Sequence, residues 1–236
     1  MIYVPVAMAI FVGGIAVFLP PLILPAALFA SCGIYFAYAR YLFSPGGRGI
    51  QPKIHGLILD NLSWDGEGRV IDIGCGSGAL AIMLAKKYRK AEVHGVDYWG
   101  KTWNYSKSLC DQNASLEGVT EQVRFRQASA AQLPYDDGYF DAAVSNLTFH
   151  EVRGVDDKVS LLQEALRVVR KGGTFCFQDL FLWKRIYGEL DVLISRTKAM
   201  GVEEVRFIDT HTSPSIPRPL RLPFMVGTIG ILCGRK

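Results

Sequence analysis

No Asp, Glu, Lys, Arg or His occurs in the first thirty-nine residues of this 236-residue chain, and the first charged side chain is Arg40. That absence excludes a solvated surface segment, and it also excludes the basic start of a signal peptide. Clustered basic runs are missing too. The 26 Lys and Arg against 22 Asp and Glu leave a net charge of +4, without the one-sided patch that a nucleic-acid ligand requires. Cysteine is sparse and scattered: Cys32, Cys75, Cys110, Cys176 and Cys233 have no metal-ligand spacing. They read as reduced thiols in a cytosolic compartment. No internal repeat or low-complexity tract is present, and the length suits one catalytic domain with a small appendage.

What is present at the start is apolar. As one helix the uncharged stretch would extend roughly 58 Å, about twice the hydrocarbon thickness. Pro20-Pro21 interrupts it at the midpoint, where a proline pair cannot continue a helix. The expectation is a membrane-anchoring hairpin over 1–43, with helices at about Ile2–Leu19 and Leu22–Tyr38. Spanning and shallow re-entrant hairpins both fit, and a soluble or oligomerising helix pair competes. Arg40, Arg48 and Lys53 precede the first acid, Asp60, which puts that side in the cytoplasm by the positive-inside tendency.

Ser44-Pro45-Gly46-Gly47 has linker composition, giving a linker over 44–50 and a catalytic domain over 51–236. Apolar Ile54, Leu57, Ile58 and Leu62 form a helical stripe. Beyond it strands and helices alternate. Strands are expected at Arg69–Ile73, Glu92–Val96, Val123–Gln127, Phe140–Asn146, Thr174–Asp179, Val205–Asp209 and Val226–Cys233. Helices are expected at Ala79–Tyr88, Thr102–Leu116, Lys158–Val169 and Gly188–Met200. This alternation predicts an α/β, Rossmann-like seven-stranded sheet covered on both faces. The last strand follows its predecessor without a crossover helix and so returns antiparallel.

The chemistry concentrates at Val70-Ile71-Asp72-Ile73-Gly74-Cys75-Gly76-Ser77-Gly78, an apolar strand running into a glycine turn. Glycines admit positive φ and close approach to a ligand. Asp97, about twenty residues on, is placed to grip a ribose. Gly74, Gly76 and Ala79 also partly fit a dinucleotide fingerprint. Asp72 discriminates, because a carboxylate there opposes a pyrophosphate but suits a cationic amino group. A strand-end acid capping backbone amides is its bland alternative.

With these residues the chain from about Gln51 to Cys233 resembles the class I S-adenosylmethionine-dependent methyltransferases, especially those acting on small molecules. Four ordered stretches carry the likeness: Asp72 to Gly78; Val96-Asp97; Leu133-Pro134-Tyr135 through Phe140-Asp141; and Glu164-Ala165-Leu166-Arg167-Val168 before Lys171-Gly172-Gly173. The resemblance implies S-adenosylmethionine as cofactor. It implies contacts from Asp72, Gly74, Cys75, Gly76, Gly78, Asp97, Tyr98, Ser129, Ala130 and Asn146, with Tyr98 packing on adenine. Trp99 and Trp103 are weaker candidates. Ser129 stands where the family usually has an acid, and its hydroxyl accepts more weakly.

An activated sulfonium needs mainly alignment, and a general base only where the acceptor is protonated. His150 is the first candidate, because histidine titrates near working pH, and Asp179 the second. Glu151, His211 and His55 rank lower. Ser145-Asn146-Leu147-Thr148 lacks the Asn/Asp-Pro-Pro-aromatic sequence of amino-methylating DNA enzymes. The Arg, Leu and Phe between Ser213 and Met225 suit a lipid headgroup boundary. The expected partners are therefore a lipid bilayer and a small, apolar or lipid-like acceptor, with no nucleic acid. The alternatives are a soluble metabolite or protein acceptor, and a non-catalytic cofactor-binding module.

Overall fold

The computed structural model describes residues 3–16, 23–44, 49–100 and 105–236. The Pro20-Pro21 turn, Pro45-Gly46-Gly47, Arg48, the expected helix start at Thr102, and Trp103 lie outside the described residues. The chain divides into two compact units, 1–51 and 52–236.

The first unit holds helices α1 (Tyr3–Ala16) and α2 (Ile23–Phe43). They lie against each other at Gly33, where an added Cβ would come within 3.1 Å of Val6 Cγ2. Small residues at a helix crossing let backbones approach. Val4, Ile10, Phe11, Leu24, Leu28 and Ile34 are all more than half exposed. The hydroxyl of Ser31 is satisfied within α2 by the Ala27 carbonyl at 2.8 Å. Among the described residues α2 alone is long and apolar enough to cross a membrane. It has 21 residues, whereas the 14 described residues of α1 reach only about 21 Å. Residues 17–22, where the expected first helix would continue to Leu19, lie outside the described residues.

Helix α3 (Ile50–Asn61) leads into a sheet of β1 (Gly68–Ile73), β2 (Ala91–Asp97), β3 (Val123–Gln127), β4 (Phe140–Asn146), β5 (Val169–Asp179), β6 (Glu204–Asp209) and β7 (Gly230–Arg235). The order is β3-β2-β1-β4-β5-β7-β6, with β7 antiparallel to both neighbours. Helices α4 (Ala79–Lys87), α5 (Lys107–Leu116), α6 (Val159–Arg167), α7 (Lys184–Tyr187) and α8 (Leu190–Ala199) complete the unit. Val70, Val93 and Val144 join Leu80, Leu84 and Cys110 in one core. Ile71, Ile73, Ala143 and Phe177 join Leu161, Leu162, Ala165 and Leu193 in the other. Burial on both faces is why β1 and β4 read as continuous apolar runs.

Several boundaries differ from expectation for local reasons. Strand β5 begins at Val169, where Val169 pairs with Phe140 before the register shifts to Ala142–Thr174. The helix expected through Val169 therefore stops at Arg167. Strand β7 starts at Gly230 rather than Val226, since Ile229 N–H turns back to the Val226 carbonyl. Helix α5 begins at Lys107 because the Ser106 hydroxyl caps it by accepting the Leu109 N–H.

Parts of the family-like pattern serve the scaffold. Glu164 accepts the Leu133 N–H at 2.6 Å, and Arg167 donates to the Leu133 and Tyr135 carbonyls. Asp141 accepts the Arg69 N–H at 2.7 Å and the Arg170 guanidinium at 2.6 Å. These bonds fix the connection between β3 and β4 and the sheet's lower edge.

Candidate active site

At the carboxyl edge of the sheet, Gly74 and Cys75 donate their amides to the Val96 carbonyl at 2.7 and 3.0 Å. The turn after β1 therefore leans on β2. Gly74, Gly76 and Gly78 have φ of 76°, 55° and 83°, a region costly for other residues. A Cβ at Gly74 would lie 2.1 Å from Thr148 Oγ1, so the backbone passes hard against the end of β4. Thr148 and Ser145 donate their hydroxyls to the Ile73 carbonyl. Leu147 and Trp99 adopt positive φ, 53° and 45°. Such backbone in non-glycine residues gathers at functional sites, and both residues follow strand ends here.

Asp72 is fully buried, and its Oδ2 has no hydrogen-bond partner. Burial pushes its carboxyl up to about 8; an Ala81 amide bond opposes the rise, and the charge of Asp97 adds to it. A buried acid with one orphaned oxygen needs a cationic donor to become a stable carboxylate. Asp97 accepts the Gly76 N–H at 2.9 Å and the Trp99 N–H at 2.8 Å, while the Trp99 indole donates to the Gly76 carbonyl. Both Asp97 oxygens keep lone pairs for further donors. Tyr98 beside it is 68% exposed, an aromatic face open to a ligand. Cys75 and Ala130 are buried. Ser129 accepts the Ala131 N–H, and Asn146 Oδ1 accepts from Gln178 at 3.3 Å. Asp72, the three glycines and Asp97 are thus brought to one edge of the sheet, with the two carboxylates close enough for the charge of one to act on the other. The orphaned Asp72 oxygen, the glycine cradle and Asp97 fit a cofactor that carries an ammonium at one end and a ribose at the other.

On the other side of the turn, His150 lies in the short turn Phe149–Glu151 after β4. Its Nδ1 is 2.6 Å from Asp179 Oδ1 at the end of β5. Asp179 is fully buried and also accepts the Phe149 and Leu180 amides at 2.8 and 2.7 Å. Burial alone would lower the His150 pKa. The Asp179 bond and charge, with Glu151, outweigh that and hold it above the ordinary value. Their positions 29 apart gave no local signal of this pair. Tyr187 gave none either; its buried hydroxyl lacks a partner and lies beside Asp179, whose charge adds to burial in raising the phenol's pKa. His55, driven by burial to about 4, is neutral within α3. His211 pairs with Asp209 at the end of β6.

A cavity of about 770 Å³ lies elsewhere, on the flank of β2 and β3 along His94, Arg124, Arg126, Tyr135 and Tyr139. Its groups are engaged with one another: His94 bonds Tyr135 and Glu92, and Arg69 stacks on Tyr139. Asp72 Oδ2 and Gln178 Oε1, near the carboxyl ends of β1 and β5, are by contrast buried without a partner.

Residues 71–177 match the family described as a methyltransferase domain. The chain is 35% identical over 104 residues to norajmaline N-methyltransferase of Rauvolfia serpentina, covering 44% of this chain and 32% of that one. It is 30% identical over 154 residues to fatty-acid O-methyltransferase of Mycolicibacterium smegmatis, covering 62% and 52%. The chain thus spans about half, or less, of the length of these curated relatives. The YcgJ protein of Bacillus subtilis superimposes with a TM-score of 0.54 at 24% identity, over 67% of this chain and 71% of that one. That likeness concerns the fold.

Proposed function

We propose that the protein transfers the methyl group of S-adenosylmethionine to a small, apolar or lipid-like acceptor at a membrane surface, with its catalytic unit on the cytoplasmic side. When bound, the cofactor supplies a methyl group already activated on a sulfonium. Asp72 then receives the ammonium, and the Gly74–Gly78 backbone admits the amino-acid tail. Asp97 holds the ribose hydroxyls, Tyr98 covers the adenine, and Ser129, Ala130 and Asn146 line the remainder. Fixing both partners in line supplies much of the acceleration for such a displacement. The match of 71–177 to a methyltransferase domain, with the orphaned Asp72 oxygen, carries the transfer reading.

The acceptor class rests on how the chain enters the domain. The Ile54 carbonyl accepts from Gln178 near the carboxyl end of β5, and the Ile58 carbonyl accepts from Cys176 further down. Helix α3 therefore runs against β5, with its first turn at the edge that carries the site. Six residues, 44–49, separate it in sequence from the apolar α2. Leu222 and Phe224, 40% and 60% exposed, lie in the connection between β6 and β7 at that same edge. Trp183 follows β5 there and is 40% exposed. Apolar tips with a neighbouring Arg218 suit a headgroup boundary. The fatty-acid substrate named for the Mycolicibacterium relative agrees with an amphiphilic acceptor. The acceptor test supplies the full-length protein with host lipids or with water-soluble metabolites. Methylation confined to soluble acceptors would favour the second reading, an anchor that serves only to localise the enzyme.

A further inference from the structure

We propose that His150 is the general base for the acceptor, that Asp179 and Tyr187 position it, and that the acceptor atom is consequently a hydroxyl oxygen. This rests on the methyl-transfer reading above.

Asp179 cannot act directly: it is fully buried, and both its oxygens are held by backbone amides from Phe149 and Leu180. A carboxylate so fixed can only accept, so it selects the tautomer of His150 that carries its proton on Nδ1, 2.6 Å away. The lone pair is then left on Nε2. A histidine serving only to cap the backbone would bond main-chain groups; the ring of His150 instead meets carboxylates on both sides. Beyond Nε2 the nearest charged group is Glu151, at 3.4 Å and more than half exposed at the rim. The His150 side chain is 14% exposed, so the ring is largely shielded while its tip stays reachable. Behind Asp179 the Tyr187 ring is locked edge-on against Phe181 at 5.0 Å, with its unpartnered hydroxyl beside the carboxylate.

Carboxylate and thioether acceptors present a lone pair without losing a proton and have no use for this pair. A lipid ammonium has to lose its proton before its nitrogen can attack, in an equilibrium with solvent that precedes the transition state. A hydroxyl keeps its proton until attack, and there a base counts. The hydroxyl proton passes to Nε2 as the oxygen–methyl bond forms and the methyl–sulfur bond breaks, its electron pair staying on sulfur. The resulting imidazolium is held by Asp179 and afterwards gives its proton to solvent. The groups that set its titration are Asp179 from β5, Glu151 from its own turn and Lys158 ahead of α6, while Tyr187 from α7 faces Asp179.

The full-length protein, methyl-deuterated S-adenosylmethionine and a total lipid extract of host membranes form the assay, with the product linkage read by mass spectrometry. The expected product is a methyl ether. His150→Gln should lower kcat about 10²- to 10⁴-fold with the KM for S-adenosylmethionine unchanged. Imidazole should restore turnover to His150→Gly, and Tyr187→Phe should shift the rising limb of the pH profile. Nitrogen NMR of the wild-type ring should show the proton on Nδ1 and a pKa above 6.5. A methyl ester or N-methyl product, undiminished turnover in His150→Gln, or a bare Nδ1 would overturn the proposal. No transfer to any fraction would overturn the methyl-transfer reading beneath it, while the NMR tautomer reports on the dyad separately.

Discussion

Asp72 is the residue on which stability and function pull apart. Its carboxyl sits at about 8 in the folded protein because it is buried, whereas in an unfolded chain it titrates near 4. The folded state therefore binds the extra proton between those values, and stability falls as pH rises from about 4 to about 8. Asp72→Asn removes that penalty. The variant should melt higher than the wild type without cofactor, by more at pH 8 than at pH 5, and bind S-adenosylmethionine at least about tenfold more weakly. Scanning calorimetry and isothermal titration read the two effects; equal affinity in the variant would remove Asp72 from the pocket. At pH 7 the wild type should release a proton on binding, visible as a dependence of the heat on the buffer. Gly74 acts through shape alone. With φ at 76° and Thr148 2.1 Å from any Cβ, Gly74→Ala should destabilise the protein by roughly 1–3 kcal/mol and abolish cofactor binding. A melting temperature equal to the wild type's would contradict this. The end of β1, the glycine turn and the end of β2, which carry Asp72 and Asp97, were legible from the sequence because an apolar strand, a turn and a second strand follow in fixed order. The His150–Asp179–Tyr187 cluster was not legible as a unit, since its members come together only when β4 and β5 pair.

At the scale of elements, β3 and β4 match the sequence reading residue for residue, because alternation or a continuous apolar run is bounded by turns on each side. The errors fall where tertiary pairing overrides local signals. Lys171-Gly172-Gly173 reads as a turn, yet β5 runs through it, since Gly173 packs so closely that a Cβ would meet the Asp141 carbonyl at 2.8 Å. Helix α7 escaped notice because four residues carry no periodicity. Pairing between β6 and β7 has a similar demand: a Cβ at Gly234 would lie 1.8 Å from the Glu204 carbonyl. Gly234→Val should therefore part these strands and lower the melting temperature. Hydrogen exchange across Glu204–Asp209 should rise, and unchanged protection there would refute the close approach. In the connection between those strands, Leu222→Asp should reduce turnover on membrane-resident acceptor about tenfold or more and leave cofactor affinity unaltered. Equal turnover would discard this tip as a lipid contact.

For the whole molecule, the seven-stranded sheet was legible from the alternation of strands and helices that follows the uncharged start. Helix α3 lies against β5, where its Ile54 carbonyl accepts from Gln178 near the sheet edge that carries the candidate site. The most direct measurement uses membranes from cells producing the full-length protein, washed in alkaline carbonate and incubated with methyl-labelled S-adenosylmethionine. Label should enter the organic-soluble fraction, and membranes carrying Asp97→Ala should transfer none. Protein released by the carbonate, or label found only in the aqueous phase, would contradict the account.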